Sequence, residues 1–126
     1  MVIHKTFADF VLFLYVHMAH SDGEYHSSEE KAILEKIPKL FPNEGDPKGK
    51  LHQAVLQYRG VKAHEIKKVI KETFNHFDHI KFAQKYKVYT DMYDIVHADG
   101  KIHEYEERAL KELKDIIDAG SEASHH

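Results

Sequence analysis

The chain has 126 residues, which is enough for one domain with a hydrophobic core and too few for two ordinary domains. It contains 18 Lys and Arg, 21 Asp and Glu, 12 His and no Cys, and its formal net charge is −3 at pH 7. This balance argues against a general nucleic-acid binder, which needs a clustered excess of Lys and Arg. The absence of Cys excludes disulfides, thiol catalysis and Cys-based zinc sites, so any metal must be bound by His and carboxylates.

The spacing of apolar residues predicts an all-α bundle of about six helices and no strand. The first helix, from Phe7 to Met18, is apolar on nearly all sides, so we expect it to be central and buried. The other predicted helices cover roughly 27–40, 51–60, 66–77, 82–96 and a segment after Asp99-Gly100 that ends near Gly120. The segment 41–49, with two Pro and two Gly, is predicted to be a loop.

The helical domain is predicted to cover 1–120 and a flexible tail or tag remnant 121–126, because His125 and His126 resemble the end of a purification tag. The most apolar stretch, 10–18, is far shorter than the roughly 20 residues that span a bilayer. No small-x-small cleavage site follows it. We therefore expect no transmembrane segment, no signal peptide and a cytoplasmic location.

Residues 20–33 repeat in residues 97–110, since a shift of 77 positions makes seven of fourteen residues identical. The repeat predicts two equivalent hairpins, each a helix, an Asp-Gly turn and a second helix with an acidic start. Gly23 and Gly100 would end the first helix of each hairpin. His26 and His103 would cap the second helix, with Glu at its third position. A purely structural turn is one interpretation of this motif.

The repeated pattern, (A/S)-D-G-x-(aromatic or Ile)-x-x-x-E-E-(K/R)-A after a buried helix, resembles the TerB-like family. That family includes the tellurite-resistance protein TerB and the N-terminal domain of a membrane-anchored DnaJ-like co-chaperone. The resemblance implies a helical bundle with pseudo-symmetric hairpins and a non-enzymatic role in stress, metal or tellurite resistance and membrane-proximal complexes. The sequence departs from the family pattern in carrying His20, His26, His97 and His103 around the turns.

The second half of an EF-hand loop has a similar pattern, but its first calcium-binding position would be Met18 or Ile95, which argues against calcium. Imidazole and carboxylate ligands suit Zn, Ni, Fe or Mn instead. We predict a divalent transition-metal site at each turn, or one shared site. The candidate ligands are His20, Asp22, His26 and Glu29 in the first copy and His97, Asp99, His103 and Glu106 in the second. One helical turn earlier, His17 and Asp94 are also competent ligands.

Several alternatives use the same residues. The clustered His could sense pH at an interface. A metal-bound water beside Glu is the only enzymatic route, to a hydrolase, because no nucleophile elbow or phosphate loop is present. Seven Tyr, among them Tyr58, suit a module with an unknown protein partner. The basic run Lys62, Lys67, Lys68 and Lys71 is interpreted as the solvated face of the fourth helix, or as a docking surface for an acidic partner or membrane.

Overall fold

A computed structural model describes residues 6–20, 27–77, 80–97 and 104–123. These residues form six α-helices and one 3-10 turn, and no strand occurs among them. The elements are α1 Phe7–Ala19, α2 Ser27–Leu40, α3 Pro47–Arg59, the 3-10 turn Ala63–Glu65, α4 Ile66–His76, α5 Phe82–Val96 and α6 Glu104–Ala123. The predicted all-α bundle is confirmed.

Helix α1 is the centre of the bundle, as its all-round apolarity predicts. Residues 10–16 are all buried, and α1 contacts α2, α3, α5 and α6. At its N-terminal end the Phe10 ring lies 4.9 Å from the ring of Phe74 and 6.2 Å from that of Phe77, so aromatic contacts join α1 to α4. A helix without a polar face is stable in water only when other elements surround it, and here four helices do so.

The ends of the helices follow local capping chemistry. Thr6 caps α1: its hydroxyl accepts a hydrogen bond from the backbone N–H of Asp9 and donates one to the Asp9 carboxylate. The predicted loop 41–49 is wrong in its last three residues, because α3 already begins at Pro47. Asp46 caps this helix, and proline is favoured at a first helical position, where no N–H is needed. Helix α6 continues to Ala123, beyond the predicted end near Gly120.

A polar network, which the sequence pattern did not indicate, joins α1, α2 and α5. The buried Tyr15 hydroxyl donates to the Asp91 carboxylate over 3.1 Å, and burial and the Asp91 charge raise the pKa of this Tyr well above its usual value. Lys36 and Lys87 lie 3.5 Å and 3.2 Å from the same carboxylate. Asp91 therefore holds three helices at one point.

None of the helices, within the residues that the structure describes, combines the length and the apolarity needed to cross a membrane.

Candidate functional site

Helices α1 and α5 end in the same way, on the first His of each predicted turn. His20 caps α1 with φ −99° and ψ 0°, and His97 caps α5 with φ −91° and ψ 1°. The Nδ1 atom of His20 lies 2.8 Å from the carbonyl oxygen of Val16, and that of His97 lies 2.8 Å from the carbonyl oxygen of Tyr93. Because a carbonyl oxygen only accepts hydrogen bonds, Nδ1 carries the proton in both rings. In a neutral imidazole the lone pair is then on Nε2, which is the atom that can bind a metal.

The surroundings of the two imidazoles differ. His20 lies partly buried against Tyr58, with 5.0 Å between the ring centroids. His97 lies against Tyr93 with a centroid distance of 3.9 Å, and Tyr93 is 47% exposed. The two copies of the repeat therefore share a helix end and the hydrogen bond that orients the ring, while the rings have different aromatic neighbours.

The acidic members of the candidate set lie at the start of the second helices. Glu29 is the third residue of α2 and is completely buried. Glu106 occupies the third position of α6, but its side chain lies outside the described residues. Four further candidates, Asp22, His26, Asp99 and His103, also lie outside the described residues.

The structure thus describes three of the eight candidate side chains, those of His20, Glu29 and His97. Among the described residues, no group of three or more His, Asp or Glu side chains is arranged to hold a metal ion. The metal site at the turns stays a prediction.

His17 and Asp94, one helical turn before these caps, have different partners. The Nδ1 atom of His17 lies 3.1 Å from the Tyr58 hydroxyl. Burial, and to a lesser extent the charge of His20, lower the pKa of His17 to about 4, so this ring is neutral at pH 7. Asp94 is 69% exposed and lies 3.8 Å from Lys36. Residues 17 and 94 therefore do not share an environment, although they occupy matching positions in the repeat.

A cavity of about 350 Å³ opens beside His17, His20 and Tyr58. Its walls come from α1, α3, α4, α5 and α6, together with the 3-10 turn. The polar and charged residues that line it are His17, His20, Tyr58, Lys67, Arg108 and Glu112.

The family comparison covers all of these elements. A family model described as Tellurite resistance protein TerB matches residues 8–126, which is nearly the whole chain. The chain belongs to the TerB family. Comparisons with curated proteins and with solved structures give no match. Both Asp-Gly turns and the cavity lie within the TerB match, and the resemblance seen in the repeated motif is confirmed.

The cavity of this TerB-family chain is the feature that the sequence did not reveal. Tyr58 is one of seven Tyr that suit a protein-binding module, and Lys67 belongs to the basic run of the fourth helix; the structure shows that both also line this cavity. His17 is a sequence signal for this cavity, because it is a polar residue in the second half of α1, where the residues around it are apolar and buried.

Proposed function

We propose that this TerB-family protein is a non-enzymatic, tellurite-resistance-associated interaction module that binds a divalent transition metal at its two Asp-Gly turns. The ligands would be His20, Asp22, His26 and Glu29 at one turn and His97, Asp99, His103 and Glu106 at the other. Imidazole and carboxylate together favour Zn, Ni, Fe or Mn over calcium. Membership of the TerB family supports the association with tellurite resistance.

The observation that carries the metal proposal is the matched orientation of the His20 and His97 rings. In protein metal sites, the nitrogen of a His that does not bind the metal usually donates its proton to a carbonyl or carboxylate, which fixes the ring and the tautomer. Both rings make this bond to the carbonyl four residues earlier, at 2.8 Å in each case. Each would therefore present Nε2 to a ligand without a further loss of side-chain freedom.

Glu29 adds a second argument, from charge. Its side chain is completely buried, and a carboxylate is a competent ligand for a divalent transition metal. Glu29 is nine residues from His20 in sequence and opens the helix that follows the same turn.

Calorimetric titration of tag-free protein with zinc and with nickel tests this proposal. We expect binding tighter than about 1 mM. The variants His20→Ala and His97→Ala should each lose one site if the turns bind separately, or all binding if they share one metal. His52→Ala, which removes an exposed imidazole from α3, is the matched control and should bind as the parent does. Binding weaker than about 1 mM, or equal binding by all variants, would overturn the proposal.

A second candidate function is a protein-binding scaffold in which the turns are structural. Its support is the exposure of large apolar side chains: 55% for Leu56, 38% for Tyr86 and 47% for Tyr93. Such residues are typical of contact surfaces between proteins. A metal-independent protein partner, lost on replacement of Tyr86 and Tyr93 by Ser, would favour the scaffold. In either case we expect a cytoplasmic location and a protein partner, as the family resemblance implies.

A further inference from the structure

The cavity beside His17 shares one lining residue, His20, with the first proposed metal turn, but its other lining residues belong to no proposed metal site. It has a volume of about 350 Å³, within the range of roughly 300–1,000 Å³ that is typical of small-molecule sites. Much of its wall is apolar, from side chains on four helices: Leu14, Met18, Ile66, Ile70, Met92 and Leu113. A site of this size and lining suits a ligand with a compact hydrocarbon part.

The charged side chains of the cavity are on α4 and α6, and more of them are positive than negative. Lys67 and Arg108 are cationic and Glu112 is anionic, and all three are exposed residues that line the cavity. Arg108 also lies 3.0 Å from Glu104, but that pair is 61% and 81% exposed and so competes weakly with a ligand. The cavity therefore has an apolar wall, and the charged residues that line it are two cations and one anion.

Helix α4 and the segment before it carry further lysines. Lys62 and Lys71 are exposed, while Lys68 lies 4.0 Å from Glu72 on the same helix. Such a cluster attracts an anion to the mouth of a cleft. Inside the cavity, His17 and Tyr58 are hydrogen-bonded to each other.

We propose that this cavity binds a small amphipathic carboxylate, with its hydrocarbon chain against the apolar wall and its carboxylate at Lys67 and Arg108. The guanidinium group of Arg matches the geometry of a carboxylate through two parallel hydrogen bonds, and Lys adds a second positive charge. The limited volume favours a single chain of medium length over a lipid with two long chains. This binding activity goes beyond the proposed metal function and requires no metal.

The probe for this proposal is octanoate, measured by calorimetry in the presence of a chelator so that the result is independent of metal binding at the turns. We expect a dissociation constant below about 1 mM for octanoate. Octanol has the same chain without the charge and should bind at least about tenfold more weakly. Acetate has the charge without the chain and should give no measurable binding.

Four charge variants locate the binding group. Lys67→Gln and Arg108→Gln should each weaken octanoate binding about tenfold and leave octanol binding unchanged. Glu112→Gln, which removes the anionic group of the rim, should tighten octanoate binding about threefold. Lys68→Gln is the matched control, because Lys68 is also an exposed lysine on α4 but does not line the cavity.

All four side chains are exposed, so the variants should fold, and far-UV circular dichroism checks this. Glu112→Gln is expected to bind octanoate more tightly than the parent, and loss of folding cannot produce tighter binding. Equal affinity for octanoate and octanol would overturn the proposal. Equal weakening by Lys67→Gln and Lys68→Gln would overturn it as well, since it would assign the effect to the general charge of α4.

Discussion

Acid should destabilise this protein through His17 in a defined pH range. The pKa of His17 is 6.5 in the unfolded chain and about 4 in the folded chain. It is lower in the folded chain because burial and the neighbouring His20 disfavour the imidazolium form. Between these values the unfolded chain binds a proton that the folded chain does not. The free energy of unfolding therefore falls as the pH is lowered from 6.5 to 4, and the full contribution of neutral His17 is present above pH 6.5.

The size of the effect follows from the difference of the two values, 6.5 − 4 = 2.5. Each pKa unit corresponds to about 1.36 kcal/mol, so His17 alone should remove about 3 kcal/mol of stability across this range. The ionisable groups that line the same cavity are His20, Tyr58, Lys67, Arg108 and Glu112.

Urea denaturation at pH values from 4 to 7.5, for the parent and for His17→Gln, measures this contribution. The amide can still bond to the Tyr58 hydroxyl but does not titrate, so the variant keeps the acid response of all other groups. We expect the stability of the parent relative to the variant to rise by about 3 kcal/mol from pH 4 to pH 6.5 and then to level off. Two parallel stability curves would refute the reasoning.

Four substitutions test the packing and the polar contacts, each by urea denaturation at pH 7. Phe10→Ala, at a fully buried position, should lower the free energy of unfolding by about 3–5 kcal/mol. Leu56→Ala, at a position 55% exposed, should lower it by less than about 0.5 kcal/mol. Similar losses in the two variants would contradict the assignment of the core. Thr6→Ala removes the cap of α1 and should cost about 1 kcal/mol, while an unchanged midpoint would show that the cap contributes nothing. Tyr15→Phe removes the donor to Asp91 and should cost about 2 kcal/mol, and equal stability of the two proteins would argue against the network.

The sequence predicts the helices of this protein well because periodicity and capping are local. Helix α1 is apolar on all sides and is correctly predicted to be central. The beginning of α3 is missed because proline is common both in loops and at first helical positions, and only the cap by Asp46 distinguishes the two. Local chemistry of that kind is visible in a sequence when the cap is considered together with the proline.

The cavity and the Asp91 network are not predictable in the same way, because their members come from different helices. Tyr58 and Lys67 are nine residues apart on different elements, and nothing in their spacing indicates a shared cavity. From the sequence pattern alone, Asp91 is expected on the surface of α5. Its contacts with Tyr15 and Lys36 exist only in the folded bundle. For the candidate metal ligands, the repeat correctly places His20 and His97 directly after α1 and α5, and the assembly of the full set stays a prediction.

The position of His20 links the two proposed sites. Its ring is held by the carbonyl of Val16 at the predicted metal turn and also lines the cavity. Any movement or change of charge of this ring therefore affects both the metal turn and the cavity. Thermodynamic linkage then requires reciprocity: if a metal at the turn changes the affinity of the cavity for a carboxylate by some factor, the carboxylate changes the affinity for the metal by the same factor. His97 does not line the cavity, so it provides no corresponding link at the second turn. We therefore expect metal binding at the first turn, and not at the second, to change the affinity of the cavity for a carboxylate.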